Sequence, residues 1–417
     1  MTLKKLAMAK GSFLAIHNKY FFALATIPSL AGMLSAEVDE GSFLRLPPGF
    51  YEAAGSELGN YNESNAGDFL LKLRLMSQYD SNVRQQNSTG PLPVISDVLV
   101  QPTLEGSYNI RTSSLQLGAT CELGRRIFLE TNDFAANFYS LDLLGKVNSG
   151  RLRAAFKTGY DHDARFNRFA EAFLEQDILS SSAKISYKMS GKTSAELYWR
   201  QRSSQSRTEG FGDTDGITFR AAALWRTSPR VSLGPGFRYG SRTGFKSIQY
   251  TLAGPVLRFD YKLTTKVYFT STFGRSYSDS LTANERLANW DIDLNYNLSE
   301  RTRFVLGLAR DTRATLAIEG GFAEITSYTL MLDRKIRTAR LTLGVKYIGR
   351  ETIGQSGITA RLNNLRSLDY ELSLAYPFGG KRSSLALNLV WQDVQRPNNR
   401  LGSWDGLQAG FSVERRF

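Results

Sequence analysis

Two histidines and one cysteine limit the chemistry open to this 417-residue chain. His162 stands in YDHDARF between Asp161 and Asp163, and it is the one imidazole left if an N-terminal leader containing His17 is removed. A hydrolase needs a nucleophile, a base and a group that orients the base. Sequence neighbours on a loop need not orient an imidazole, and no serine stands in a Gly-x-Ser-x-Gly elbow. Catalysis is therefore not expected. DHD at 161–163 and YSDS at 277–280 are acidic, but both lack the spacing of a dedicated cation loop. Cys121 stands alone, which excludes an internal disulfide and a cysteine metal cluster. The expectation is a protein with no metal and no cofactor.

What remains is electrostatics. The formal net charge is +13. Many of the basic residues alternate with apolar ones, so they fall on one face of an extended segment. The candidates for a charged, solute-facing wall are Lys72, Arg74, Arg151, Arg153, Lys157, Tyr198, Arg200, Arg202, Arg303, Arg340, Lys346 and Arg350. Arg220 has the same character. Acidic residues with matching parity include Glu105, Glu196, Asp291, Asp293, Asp369, Glu371 and Glu414. Two readings stand side by side. The charges pair with one another and brace the wall, or the positive excess draws anionic solutes or an acidic polymer. Nucleic acid is not an expected partner, because the charge is spread through strands and no compact basic helix exists.

The elements that carry these residues read as strands. FLLKLRLMSQY puts Phe69, Leu71, Leu73 and Leu75 on one side, with Lys72 and Arg74 on the other. NWDIDLNYNLS sets Trp290, Ile292, Leu294 and Tyr296 against Asp291, Asp293 and Asn295. TARLTLGVKYIGR, SLDYELSLAYPFG and SSLALNLVW repeat the device. Trp199, Trp290 and Trp391 share parity with apolar neighbours and fit a lipid-facing girdle, whereas Tyr198 lies on the polar side. Short polar turns recur as NIRT, VNSG, MSGK, TSPR, LTTK, LSER, KIRT and FGGK. Longer loops alternate with them, at 80–96, 122–138, 161–182, 203–215, 241–248, 276–289, 311–324, 351–366 and 393–404. Within one of these, RFNRFAEAFLEQ spaces Phe166, Phe169 and Phe173 for a short helix capping the rim.

A hydrophobic share of 42% with no long apolar run past the N-terminus excludes a helical membrane bundle, but not a barrel, whose strands dilute apolar residues with polar ones. The count is an all-β, transmembrane antiparallel β-barrel of about 18 strands (16–18) over 67–417, monomeric, in the bacterial outer membrane. Residues 1–36 read as a secretory signal: MTLKKLAMAK, then YFFALATIPSLAGML, then SAE. Residues 37–66 are acidic and rich in Gly, Pro and Asn, and read as a periplasmic segment or partial plug. A spanning sheet must close, so the last strand should pair with the first and end at the aromatic girdle.

The ending GLQAGFSVERRF resembles the C-terminal signal of bacterial outer-membrane barrels, through Phe411, Val413 and Phe417, with Arg415 departing from the pattern. That resemblance implies recognition by the barrel assembly machinery. YDSNV (Tyr79 to Val83) and SDVLVQPTLEGSY (Ser96 to Tyr108) resemble the first hairpin of the β-barrel porin 2 family, some of whose members are linked to exopolysaccharide export. The resemblance implies a porin-like channel passing small solutes or assisting export of an anionic polysaccharide. Its partners would be outer-membrane lipid, lipopolysaccharide and an export apparatus. The alternative is a non-conducting structural or surface-binding barrel.

Overall fold

The computed structural model describes residues 68–83, 94–167, 172–208, 213–243, 249–278, 286–314, 322–353, 364–379, 382–396 and 403–417. Residues 1–36, read from sequence as a secretory signal, and the segment at 37–66 lie outside the described residues, as does Phe169. The strands are β1 (Asp68–Asp80), β2 (Asp97–Arg111), β3 (Leu115–Phe128), β4 (Ala136–Ser149), β5 (Leu152–Asn167), β6 (Ala172–Lys188), β7 (Thr193–Ser206), β8 (Thr214–Arg226), β9 (Val231–Thr243), β10 (Gln249–Lys262), β11 (Val267–Ser278), β12 (Arg286–Ser299), β13 (Thr302–Ala314), β14 (Phe322–Ile336), β15 (Ala339–Ile353), β16 (Leu365–Phe378), β17 (Ser383–Gln395) and β18 (Trp404–Arg416). Each pairs antiparallel with its sequence neighbours in one 18-stranded sheet, and β1 pairs with both β2 and β18. The seam runs from Lys72 opposite Arg416 to Asp80 opposite Gln408. Beyond it the Phe417 amide donates to the Leu71 carbonyl at 2.9 Å. The sheet has no free edge, which is how a β-sheet satisfies its backbone within lipid.

Side-chain parity is conserved across every pairing. Leu75 lies opposite Val413, Leu385 opposite Val413, Tyr376 opposite Leu385, and Leu343 opposite Leu372. These residues and their diagonal neighbours are the exposed large apolar side chains, Phe411 and Trp391 among them. The other parity is polar, and it holds most of the buried side chains: Gln101, Thr103, Asp293, Asn295 and Gln392. Ion pairs on this second face join strands that are not neighbours, such as Arg74 on β1 with Glu122 on β3 at 2.8 Å. Side chains from separated strands converge only on a concave surface, so the polar face is the interior. The apolar face forms a band towards lipid, with Trp225, Phe237, Tyr296 and Tyr376 exposed in it. This is a transmembrane barrel of the bacterial outer membrane.

The short turns have a simple local cause. In NIRT, MSGK, TSPR and LTTK one hydroxyl bends back to hold the next strand. Thr112 Oγ1 accepts from the Leu115 amide, Ser190 Oγ from Thr193, Ser228 Oγ from Val231 and Thr264 Oγ1 from Val267, each at 3.0–3.1 Å. The longer connections end up shorter than the sequence pattern implied, because the strands extend further into them. The largest departure is at RFNRFAEAFLEQ. No helix forms in its described part: β5 continues to Asn167, β6 starts at Ala172, and Phe166 pairs with Phe173 across the hairpin. The helical spacing of the phenylalanines was overridden by an antiparallel ladder that pairs backbone groups on both strands.

Candidate functional site

The interior wall is the feature with chemical potential. Of the residues singled out by spacing, Lys72, Arg74, Arg153, Lys157, Tyr198, Arg200, Arg202, Arg303, Arg340, Lys346 and Arg350 occupy the inward parity of their strands. Arg151 does not. It lies in the turn beside Gly150, before β5 begins, and is exposed at the rim. The parity count failed there because the strand starts one residue later than the alternation.

Several of the inward cations are braced. Lys72 Nζ lies 2.8 Å from Glu105, and Lys157 Nζ lies 3.0 Å from Asp142. Arg303 donates to Asn295 Oδ1 at 2.7 Å, and Arg340 grips Asp333 with two donors at 2.9 and 2.7 Å. Lys346 faces Asp369 across the β15–β16 pairing. Such pairs are partly screened and each adds modestly to stability. Arg153, by contrast, stands near the periplasmic rim opposite Asn148 and Ser186.

Charge is not spread evenly around the wall. From β6 to β10 the inward positions carry Lys184, Arg200, Arg202, Arg220, Arg238, Arg242 and Arg258, against only Glu196 and Asp260. Arg220 and Arg238 are directly opposed across the β8–β9 ladder. Beyond β10 the inward positions carry both signs, with Asp291 and Asp293 on β12, Arg340, Lys346 and Arg350 on β15, and Asp369 and Glu371 on β16. The positive excess is therefore densest along β6 to β10, and a solute beside those strands lies in its field.

Two ion pairs span the basic wall at long range. Arg258 on β10 binds Glu196 on β7, and Arg238 on β9 reaches Asp311 on β13 at 2.6 Å. Adjacent strands lie about 4.8 Å apart, so β9 and β13 are roughly 19 Å apart along a smooth wall. An arginine cannot bridge that distance, so the wall must be sharply folded between them. Several inward positions at this crease are glycines. A Cβ on Gly234 would lie 1.7 Å from the Ala223 carbonyl oxygen, and one on Gly254 would lie 1.8 Å from that of Arg275. Sequence reasoning missed this crease, yet its signal was visible. Gly234, Gly236 and Gly240 in LGPGFRYG, then Gly254 and Gly274, all fall on the polar parity.

His162 sits on the other side of its strand from Asp161 and Asp163. Its Nδ1 lies 2.8 Å from Asp177 and its Nε2 3.7 Å from Glu175, and the Tyr139 ring stacks on it at 4.6 Å. Asp177 also accepts from Tyr160 and from Arg207, at 2.8 and 2.7 Å. Both imidazole nitrogens are thus turned to carboxylates. The cluster faces outward near the loop end of β5 and β6, and it braces the rim. Arg207 lies just beyond β7, and its hydrogen bond to Asp177 raises its guanidinium pKa further. Among the described residues no group of three or more His, Cys, Asp or Glu side chains is placed to hold a metal ion.

Comparison with solved structures returns outer-membrane barrels. The outer membrane protein OpdK of Pseudomonas aeruginosa has 11% identity and a TM-score of 0.45, covering 84% of this chain and 99% of its own. OpdQ of the same organism has 11% identity and a TM-score of 0.44, over 84% and 97%. The FrpB iron transporter of Neisseria meningitidis has 10% identity and a TM-score of 0.45, over 83% and 81%. Likeness at this level adds nothing to what the closed sheet shows by itself. No family model and no curated protein matches the chain.

Proposed function

We propose that the barrel is a passive conduit for small solutes with a preference for anions. The observation that carries this reading is the excess of cations on the inward positions of β6 to β10: Arg200, Arg202, Arg220, Arg238, Arg242 and Arg258 against Glu196 and Asp260. A charged interior costs desolvation unless water or solute fills it, and a one-signed arc selects by sign. No chemical step is required. Lys72, Arg74, Arg153, Lys157, Tyr198, Arg303, Arg340, Lys346 and Arg350 would line the path outside that arc. The hairpin resemblance at YDSNV and SDVLVQPTLEGSY adds an anionic polysaccharide as a candidate cargo. Phe411, Val413 and Phe417 would serve the assembly machinery from the outward side of β18, and the outer rim would contact lipopolysaccharide.

Planar-bilayer recording tests the conduit. Stepwise conductance with a reversal potential on the anion side supports it. Replacing Arg200 and Arg202 by Glu should shift that potential towards cations, whereas an unchanged potential removes the assignment. A second reading, a filled and silent barrel, is favoured by the two long-range ion pairs, which draw the wall inward. Folded protein that inserts without conductance would establish it. A conductance block by an acidic oligosaccharide but not by a neutral one would bring the polysaccharide into play.

A further inference from the structure

We infer that the acidic segment at 37–66 docks on the ring of cations around the periplasmic mouth. The short turns carry almost no negative charge: Glu300 is the one acidic residue among their described positions. Backbone hydrogen bonds stitch each hairpin to the next and set like charges side by side. The Lys188 amide donates to the Arg151 carbonyl at 2.9 Å, Arg226 to Lys192 at 2.7 Å, and Lys262 to Arg230 at 2.8 Å. All six residues are exposed, and none of their side chains forms an ion pair among the described residues. Adjacent like charges repel, and a polyanion from outside the ring relieves that repulsion. The ring lies below the basic wall of β6 to β10, which continues its charge into the lumen.

The side on which the cations stand selects the occupant. Lys188, Arg226 and Lys262 share inward parity with Lys184, Arg220 and Arg258, so they rim the lumen. Their neighbours Tyr187 and Trp225, 44% and 59% exposed, take the lipid side. Phospholipid headgroups meet those rings first, while the cations face the periplasm. The sequence supplies an acidic segment on that side. Residues 37–66 carry six carboxylates against one cation, Arg45. The segment joins the barrel at Asp68, where β1 begins at the same rim, opposite Asn109. An eighteen-stranded mouth is roughly 35 Å across. The chain from Glu52 to Ala66 reaches about 50 Å when extended, enough to cross it. A tether of that length holds the carboxylates at about millimolar effective concentration beside the cations. While docked, they neutralise the mouth that anions enter, and salt releases them.

The docking rests on the conduit reading only for its consequence, so it is measured apart from conduction. The full chain in detergent micelles is treated with a carbodiimide. The reagent activates a glutamate carboxyl, a lysine Nζ attacks the acyl carbon, and an amide forms as the reagent departs as its urea with the carboxyl oxygen. Peptide mass spectrometry should find Glu52, Glu57 or Glu63 joined to Lys188, Lys192 or Lys262. Raising salt from about 0.02 M to about 0.5 M should cut the yield at least about fivefold. A triple variant, Arg151→Glu, Arg226→Glu and Arg230→Glu, keeps the three reporter lysines and should cut it by about as much. If that variant fails to fold, by loss of its heat-modifiable band on a gel, the salt series on the unaltered chain still decides. No cross-link, or a yield indifferent to salt, would overturn the docking. So would cross-links that survive in phosphatidylcholine bilayers and vanish in phosphatidylglycerol, which would assign the ring to lipid headgroups. Conductance without cross-links sinks the docking and spares the conduit, and cross-links in a silent barrel do the reverse.

Discussion

The wall from β7 to β10 and the wall from β15 through β18 to β1 use the same alternation and reach different ends. In the closing wall, inward charges meet partners one or two strands away: Lys346 faces Asp369, Lys72 pairs with Glu105 at 2.8 Å, and Arg74 reaches Glu122 on β3. In the creased wall, Arg220 faces Arg238, and Arg238 and Arg258 reach carboxylates four and three strands away. The difference comes from glycine placement. The closing wall has inward glycines too, but a Cβ on Gly344 or Gly406 would meet only side chains at 3.4 Å or more, and charges there pair within two strands. At Gly234 and Gly254 the strands bend until one backbone nearly touches the next, and distant charges are brought together. Curvature, more than composition, decides which charges meet.

The sharpest way to break this comparison is to add one methyl group to each wall. Gly254→Ala puts a Cβ 1.8 Å from a backbone oxygen that no side-chain rotation relieves. Gly344→Ala, in β15, meets nothing closer than the Glu371 side chain at 3.5 Å. The first should cost about 3 kcal/mol or more and deplete the folded band, while the second should stay within about 0.5 kcal/mol. Equal tolerance at both sites would show that the crease is not held by glycine. Urea unfolding in vesicles, followed by tryptophan fluorescence, gives the numbers.

A second test contrasts the two faces of the closing wall. Leu372 points to lipid between Leu343 and Leu389, and Ser373 points inward beside Asn388. Leu372→Arg should cost about 2–4 kcal/mol, as an arginine does near the bilayer midplane. Ser373→Arg should cost far less, because the interior is polar. The reverse order would mean that inside and outside had been exchanged.

Much of this was legible before any coordinates, and the reason is period two. One-residue slips would turn Leu343, Val345 and Tyr347 from lipid to lumen, so the alternation fixes both face and register. The turns were legible because a hydroxyl or glycine recurs at each. Two kinds of feature were not. RFNRFAEAFLEQ has a genuine helical spacing, and only its partner strand makes it extended. The pairs Arg238–Asp311 and Arg258–Glu196 depend on curvature accumulated over several strands, which no local window contains. Trp404 shows the same limit. It faces inward, packed on Leu365 and Val394 and only 6% exposed, although most tryptophans here face lipid.

The ion pairs themselves offer a smaller contrast. Glu196→Gln leaves Arg258 deep in the wall with Asp260 as its remaining carboxylate, at 3.1 Å. Arg340→Gln breaks a more exposed pair, that of Asp333 near the short-turn rim. The expected costs are about 2 kcal/mol and under about 1 kcal/mol, since stranding a buried charge outweighs losing a partly exposed pair. Matching costs would indicate that water enters the crease as freely as it reaches the rim.

The periplasmic rim gives the smallest effect, and it runs the other way. The creased wall is joined by turns that a side-chain hydroxyl holds, at Ser190, Ser228 and Thr264. The closing wall begins at a tight turn where Arg337 takes a φ of 55°, a left-handed conformation that crowds its Cβ against the backbone. At the β4–β5 and β16–β17 turns the same geometry is met by Gly150 and Gly379, with φ of 50° and 61°. Arg337→Gly should therefore stabilise the barrel by about 0.5–1 kcal/mol, the left-handed penalty less the added freedom of the unfolded chain. Ser228→Gly, which removes a hydroxyl brace, should destabilise by about as much. Opposite signs at two turns on one rim would show that each wall closes its hairpins by a different device, and a loss of stability at both would show that the guanidinium of Arg337 matters more than its backbone.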